Sequence, residues 1–445
     1  MNNLQSSEDF ARATRTRLDG LYEYLVDEED ARVCTDIDER ACREVPRNFF
    51  LMLVANVFTK LGDELSNPKT VLAWLFNFAG APLGLVGFLV PIRESGSLIP
   101  QLLFAAPVRA LARRKWAWVA GSLGQALAVM GIGGVALALQ GWAAGIAILV
   151  LLTVFSLCRG LCSIAHKDVV GKTIPKTRRG RLGGWSGTVA GLLGLAVGVY
   201  LALGLAPDTA GFYGGLLLAA GGLWLLGAGC FALVSEQPGD TGGGGNAIAE
   251  ALKSLRLLRD DAAFRRFVSV RSLLLCSALT APYYVLLAQQ EGSGLWTLGL
   301  FMIASGLAGS LSSPVWGRLA DRSSKQVMIR AALLTAGNGV VVFLVTWLLP
   351  TLAALPGFYP LAFFVLGIAH SGVRLGRKTY LLDLAGGNKR TDYVAVSNTV
   401  IGVVLLAAGS IGALAAVVPP EGIVLVLSLL GLGGAALGGY LPEVE

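Results

Sequence analysis

Several ionisable residues fall inside stretches that are otherwise apolar, and their spacing is suggestive. Lys60, Asp63 and Glu64 lie within five positions and run into Ser66-Asn67-Pro68. Lys60 and Glu64 are four apart and share one helix face, with Asp63 one turn from Lys60. A second cluster, Arg93-Glu94, is followed by Ser95-Gly96-Ser97 and Pro100-Gln101, with Glu94 and Gln101 seven apart on one face. Arg159, Arg271, His370 and Arg374 complete the set, the last two again four residues apart. The excess charge is positive, and guanidinium and ammonium groups suit carboxylate or phosphate recognition. These residues together therefore predict a site for a small anionic or zwitterionic solute. A carboxylate beside cations can alternate between a protonated and an ion-paired form, which makes Asp63 and Glu94 candidate proton carriers. Buried ion pairs that lock helices together are the alternative reading, and for Arg271 the two are evenly balanced. Tyr283, after Pro282, could stack on a solute or serve as an ordinary membrane-interface residue.

The elements that must position these residues are set by composition. Of 445 residues, 54% are hydrophobic, 58 more are glycine, and only 15% are charged, against about 25% charged in a typical soluble protein. Residues 1–46 alone hold twelve acids and six arginines. A membrane span needs about 20 mostly apolar residues, and the apolar segments number twelve, near 48–78, 81–112, 116–140, 142–171, 184–205, 210–234, 263–289, 294–319, 326–349, 357–380, 394–417 and 422–441. The expected fold is an all-α membrane protein of twelve transmembrane helices. Ionisable residues inside such spans cost several kcal/mol unless paired or facing water. A span broken by proline is tolerated only where protein or a water-filled cavity surrounds it.

Shifting the sequence by 211 positions brings its halves into register. Lys167 then meets Lys378, Ser186 meets Ser397 and Thr188-Val189 meets Thr399-Val400. The same offset places Arg114 on Lys325, Arg159 on His370 and Lys60 on Arg271. A constant offset over so long a stretch predicts two pseudo-symmetric six-helix bundles. The predicted domains are an N-terminal extension (1–46), a first bundle (47–234), a linker with an interfacial helix (235–262) and a second bundle (263–445). Lys and Arg concentrate in 109–115, 167–181, 235–266, 318–330 and 374–390 and are missing from the alternate loops. By the positive-inside rule both termini are cytosolic. The multi-pass plasma membrane, in a bacterium the inner membrane, is the expected location, and no cleaved leader precedes the first apolar run. The glycine-rich stretch 240–246 lacks the Gly-Lys-Ser/Thr ending of a phosphate-binding loop and reads as a flexible linker.

Between the eighth and ninth spans the chain reads Gly317-Arg318-Leu319-Ala320-Asp321-Arg322-Ser323-Ser324-Lys325. This resembles the G-x-L-a-D-R-x-x-r/k signature of the major facilitator superfamily (MFS), and with the twelve spans and two halves the likeness covers residues 47–441. The resemblance implies a secondary transporter whose halves rock about a central site, with Gly317, Asp321 and Arg322 at a cytosolic gate. In the first half Ala106 and Ala110 replace the signature glycine and aspartate, so such a clasp would rest on Asp321 alone. Drug/proton antiporters of that superfamily carry a Gly-Pro element in the fifth span; here Gly187, Gly191, Gly194 and Gly198 occupy it without proline.

The prediction is a proton-coupled carrier of a small organic solute. Its rivals are a proton-driven drug or metabolite exporter, an uncoupled facilitator, and a transport-inactive membrane scaffold with residues 1–46 as its docking piece. Two histidines and no nucleophile or metal pattern argue against an enzyme, so no catalytic residue, cofactor or metal is expected. Six cysteines without a CxxC pair suggest neither a metal site nor a disulfide framework. The expected partners are the solute, protons and the lipid bilayer, with no nucleic acid, around a monomer.

Overall fold

The structure, a computed structural model, describes residues 39–99, 104, 107–241, 255–385 and 390–444. The amphipathic part of the N-terminal extension, Gln101, Ala106, residues 242–246 and most of the expected interfacial helix lie outside these residues. Of that helix, one turn at Leu257–Asp260 is seen.

The first predicted span forms as two helices, α1 (Val45–Leu65) and α2 (Val71–Phe78), parted at Ser66–Thr70. Pro68 explains the break, since its ring lacks an N–H and pushes Asn67 out of helical geometry. The second span is likewise cut, into α3 (Leu83–Val86) and α4 (Leu89–Leu98). Then follow α5 (Lys115–Ala138), α6 (Gly141–Thr173), α7 (Lys176–Ala202) and α8 (Ala210–Ala232). The seventh span is segmented into α9 (Ala262–Leu273), α10 (Cys276–Leu279) and α11 (Ala281–Gln290). The chain ends with α12 (Trp296–Ala320), α13 (Ser324–Leu348), α14 (Phe358–Leu384), α15 (Arg390–Gly409) and α16 (Pro420–Gly439).

Counting α9–α11 as one span, ten helices among the described residues are long and apolar enough to cross a membrane. The other two predicted spans are the interrupted ones, α1–α2 and α3–α4. Helix starts follow local chemistry: Thr209, Asp261 and Ser323 accept from the backbone N–H of Phe212, Phe264 and Gln326, satisfying donors that a helix end otherwise leaves unpaired.

The packing repeats the 211-residue offset. In the first half α1 packs on α7 and α8, α5 on α6 and α8, and α4 on α6. In the second, α9 packs on α15 and α16, α13 on α14 and α16, and α12 on α14, which is the same set of span pairs. Individual hydrogen bonds repeat as well. Lys60 Nζ donates to Ser186 Oγ at 2.8 Å, and Arg271 Nη1 donates to Ser397 Oγ at 2.6 Å.

The halves meet along α7·α12, α4·α15 and α2·α11. Small residues let backbones touch there. A Cβ on Gly299 would lie 2.4 Å from the Gly198 carbonyl oxygen, and one on Gly87 would lie 2.4 Å from Gly412 Cα. Gln289 also donates to the Trp74 carbonyl across this seam, at 3.2 Å.

One expectation fails. Cys42 is disulfide-bonded, with its partner outside the described residues. Cys158, Cys162, Cys230 and Cys276 are free.

Candidate functional site

A cavity of about 650 Å³ lies between the broken first span and the second half. The break supplies Glu64, Asn67 and Lys69, α10 supplies Ser277, and α14 supplies His370, Arg374 and Lys378. Alongside α14, α12 presents Ser305, Gly309, Ser313 and Gly317 at four-residue intervals, one face of a helix. The break is held by its own side chains. Ser66 Oγ donates to the Gly62 carbonyl at 2.9 Å, and Asn67 Oδ1 accepts from the Lys69 backbone N–H at 2.9 Å. That Asn turn places Lys69 in the cavity wall rather than one turn further along a helix.

Lys69 joins the halves at this level. Its Nζ lies 3.2 Å from His370 Nε2, and His370 Nδ1 lies 3.0 Å from Ser277 Oγ, which donates in turn to the Leu274 carbonyl at 3.0 Å. An ammonium only donates, so Nε2 accepts and the ring proton sits on Nδ1. The chain thus runs Lys69 to His370 to Ser277 to Leu274, with a neutral imidazole.

A second polar group lies within the first half. Asp63 takes Arg93 Nη2 at 2.7 Å and also pairs with Arg159. Arg93 is buried, its guanidinium carbon 4.6 Å above the Phe155 ring. Arg159 and Asp63 line a smaller cavity of about 260 Å³ that also touches Lys60, Cys162 and His166. Asp63, Arg93 and Arg159 are therefore an ion triad tying α1, α4 and α6, and none of them lines the larger cavity.

The remaining predicted residues divide. Glu64 faces the larger cavity and also a side cavity shared with Lys60 and Gly194. The Asn67 side chain is a polar neighbour of its carboxylate. The glycines of α7 find a role here, since Gly187 and Gly194 leave room for Lys60 and Glu64. Glu94 is exposed, with no ion pair among the described residues; the charges acting on it are those of Lys69, Arg93, Arg159 and Arg377. Arg271 does not reach either cavity. It is buried, binding Ser397 and, at 2.9 Å, Asn398 Oδ1, so it clasps α9 to α15. Tyr283 is buried in the seam between halves against Gly87, away from the larger cavity. Gly317 lines that cavity where it approaches the signature loop, and Asp321 and Arg322 are exposed beyond it. The Asp321 carboxylate has no hydrogen bond or ion pair among the described residues.

Several polar residues of the cavity wall escaped sequence reasoning, among them Lys69, Ser277, Ser305, Ser313 and Lys378. Lys69 follows a proline and reads as a loop residue. Lys378 was the one with a signal, being four residues beyond Arg374 and eight beyond His370 on the same helix face.

The family model of the Major Facilitator Superfamily matches residues 52–409. No curated protein sequence matches the chain. Among solved structures the fold is similar to that of a D-xylose–proton symporter (TM-score 0.66, 15% identity, covering 89% of this chain and 98% of that one). It is also similar to the nucleoside transporter NupG (TM-score 0.69, 10% identity, 88% and 99% covered). A third likeness is to a POT family transporter in complex with 5-aminolevulinic acid (TM-score 0.65, 14% identity, 88% and 95% covered). At such identities the likeness is one of fold.

Proposed function

We propose that this chain, which belongs to the major facilitator superfamily, is a secondary active transporter of a small anionic or zwitterionic organic solute, coupled to protons. The observation that carries this reading is the cavity of about 650 Å³ at the seam of the halves, with three cations and one carboxylate in its wall. Its size suits one small metabolite. The backbone contacts at Gly198–Gly299 and Gly87–Gly412 close one end of the seam, while the cavity extends towards Gly317 and Lys378 at the other. That asymmetry supports alternating access, each half rocking about the seam so that the cavity faces one side at a time. The basic loops lie at the open end, and the positive-inside rule makes that end cytosolic, in a bacterial inner membrane, with the protein working as a monomer.

Proton coupling rests on the carboxylates. Asp63 is committed to two guanidinium groups and would have to lose both to accept a proton. Glu64 and Glu94 have no ion pair among the described residues, and Glu64 shares the cavity with the solute. A carboxylate that is protonated in one conformation and ionised beside Lys69 in the other couples charge to movement. That a structure of similar fold is a D-xylose–proton symporter supports reading proton coupling here.

Reconstitution in liposomes tests this, using a solute chosen by a stabilisation screen of anionic metabolites at two pH values. An imposed pH gradient should drive accumulation. Glu64→Gln and Glu94→Gln should abolish that accumulation while sparing solute exchange. Uptake indifferent to the gradient would refute coupling, and absence of flux for every stabilising solute would refute transport.

A further inference from the structure

In the first half each mid-span guanidinium near the seam has a carboxylate: Arg93 and Arg159 share Asp63. The second half is built differently. His370, Arg374 and Lys378 follow at four-residue intervals along one face of α14, and all three line the cavity. At 1.5 Å per residue this row covers about 12 Å, from the seam to the end near the signature loop. Neither Arg374 nor Lys378 has a hydrogen bond or ion pair among the described residues, and both are exposed to the cavity side. At the inner end of the row stands Lys69, whose ammonium makes a single hydrogen bond, to His370. Two of its three N–H donors are left without a protein acceptor among the described residues. Ser277 and Asn67 stand beside it with polar atoms in the same wall.

With His370 neutral, the wall holds three fixed cations, Lys69, Arg374 and Lys378, against one carboxylate, Glu64, an excess of two. Charges left uncompensated at this depth cost several kcal/mol each unless water or a counter-ion satisfies them. Glu94 acts on Lys69 and Arg377, and Arg377 offsets its charge, so the excess stands. The adjoining wall, α12, carries no charge: it presents hydroxyls and glycine backbone along Ser305, Gly309, Ser313 and Gly317, together with the Trp316 indole. Charge thus enters the cavity from both halves, from the break in the first span and from α14, and the α12 surface beside α14 is uncharged.

We propose that the cavity selects a compact dianion, a phosphate monoester or a dicarboxylate, seated on Lys69 and led there along the Arg374–Lys378 row. This narrows the solute class of the transport reading and rests on it. On the seat, the two spare N–H donors of Lys69 reach one anionic oxygen each. The hydroxyl-rich α12 wall accepts the neutral part of the molecule. Monoanions would leave one cation uncompensated and should bind more weakly.

Equilibrium binding to the purified full-length protein separates this from transport, because it requires neither flux nor a gradient. Thermal stabilisation is compared for glucose, glucose 6-phosphate, glycerol, glycerol 3-phosphate, succinate and lactate. Dianions should stabilise the protein while glucose and glycerol do not. The phosphate esters and succinate are arms that distinguish the two sources of charge. Lys69→Gln should weaken the effective dianion by about tenfold or more, as expected for removing one partner of a desolvated charge pair, Arg374→Gln by roughly two- to fivefold because its side chain is exposed, and Lys69→Arg should retain most of the affinity. Should Lys69→Gln fail to fold, the exposed Arg374 keeps the test intact. Equal stabilisation by glucose and glucose 6-phosphate, by lactate and succinate, or dianion affinity unchanged in both Gln variants, would overturn the dianion seat. The transport reading would survive any of those outcomes and fall only with the flux experiment.

Discussion

Replacing Asp63 by asparagine should be among the most damaging conservative substitutions in the protein. The carboxylate is the shared acceptor of Arg93 and Arg159, and asparagine keeps its shape while removing its charge. Arg93 has only 10% of its side chain exposed, so leaving it unpaired should cost about 3–5 kcal/mol. Arg159 is different: 37% of its side chain is exposed, and its share is nearer the ~0–1 kcal/mol of a solvated pair. The sum is about 4 kcal/mol, plus repulsion between two guanidinium groups that Asp63 now separates. The appropriate assay is reversible unfolding in mixed detergent and dodecyl sulfate micelles, followed by helix content. Arg159→Gln alone should cost about 1 kcal/mol or less. In the double substitution the penalties should not add, giving an interaction energy of about 0.5–3 kcal/mol. If Asp63→Asn stays within about 0.5 kcal/mol of the parent protein, or if the two substitutions simply add, the triad is not the structural tie described here.

Gly299→Ala should wedge α7 from α12, since its Cβ would lie 2.3 Å from Ala202 N; overpacking of this kind costs about 1–3 kcal/mol, and cysteine accessibility along the seam would report it as an opening at that end. Arg271→Gln should destabilise more than Lys60→Gln although the two positions are related by the internal repeat, because Arg271 is buried and Lys60 exposed; equal unfolding free energies would contradict this. Glu236→Gln should loosen the start of α5. Its buried carboxylate accepts from the backbone N–H of Arg114 and of Lys115 and pairs with Lys172 at 3.3 Å. A loss of about 1–3 kcal/mol is expected for a charged acceptor of this kind, with faster amide exchange in the first turn of α5.

Some of this was legible in the sequence and some was not, for physical reasons. Pro68 announced the break in the first span, because proline removes a donor and constrains its neighbour whatever the surroundings. The repeat announced that Lys60 and Arg271 are equivalent, and both do bind the serine that the same offset aligns. What the sequence withheld was rotation. Asp63, Arg93 and Arg159 each read as mid-span charges, but whether they converge on one another or on a cavity depends on how α1, α4 and α6 turn about their axes. That is fixed by packing of the whole bundle, not by any local pattern. Tyr283 shows the same limit: an aromatic beside proline suits a binding wall, and only the close approach of Gly87 explains why it is enclosed. Lys69 was hidden because a lysine after a proline, among Ser and Asn, has the composition of a surface turn.

The hydrogen bond from Lys69 to His370 gives the molecule a natural reporter. The chain contains two histidines, so isotope labelling of imidazole nitrogen yields only two spin systems. His166 lies wholly within one bundle, beside the Phe231 ring, and serves as the internal reference. His370 takes its tautomer from a donor that belongs to the other bundle, and separating the bundles removes that donor. Its two ring-nitrogen resonances therefore register, on a native side chain and without an attached probe, whether the two bundles are joined at the centre of the membrane.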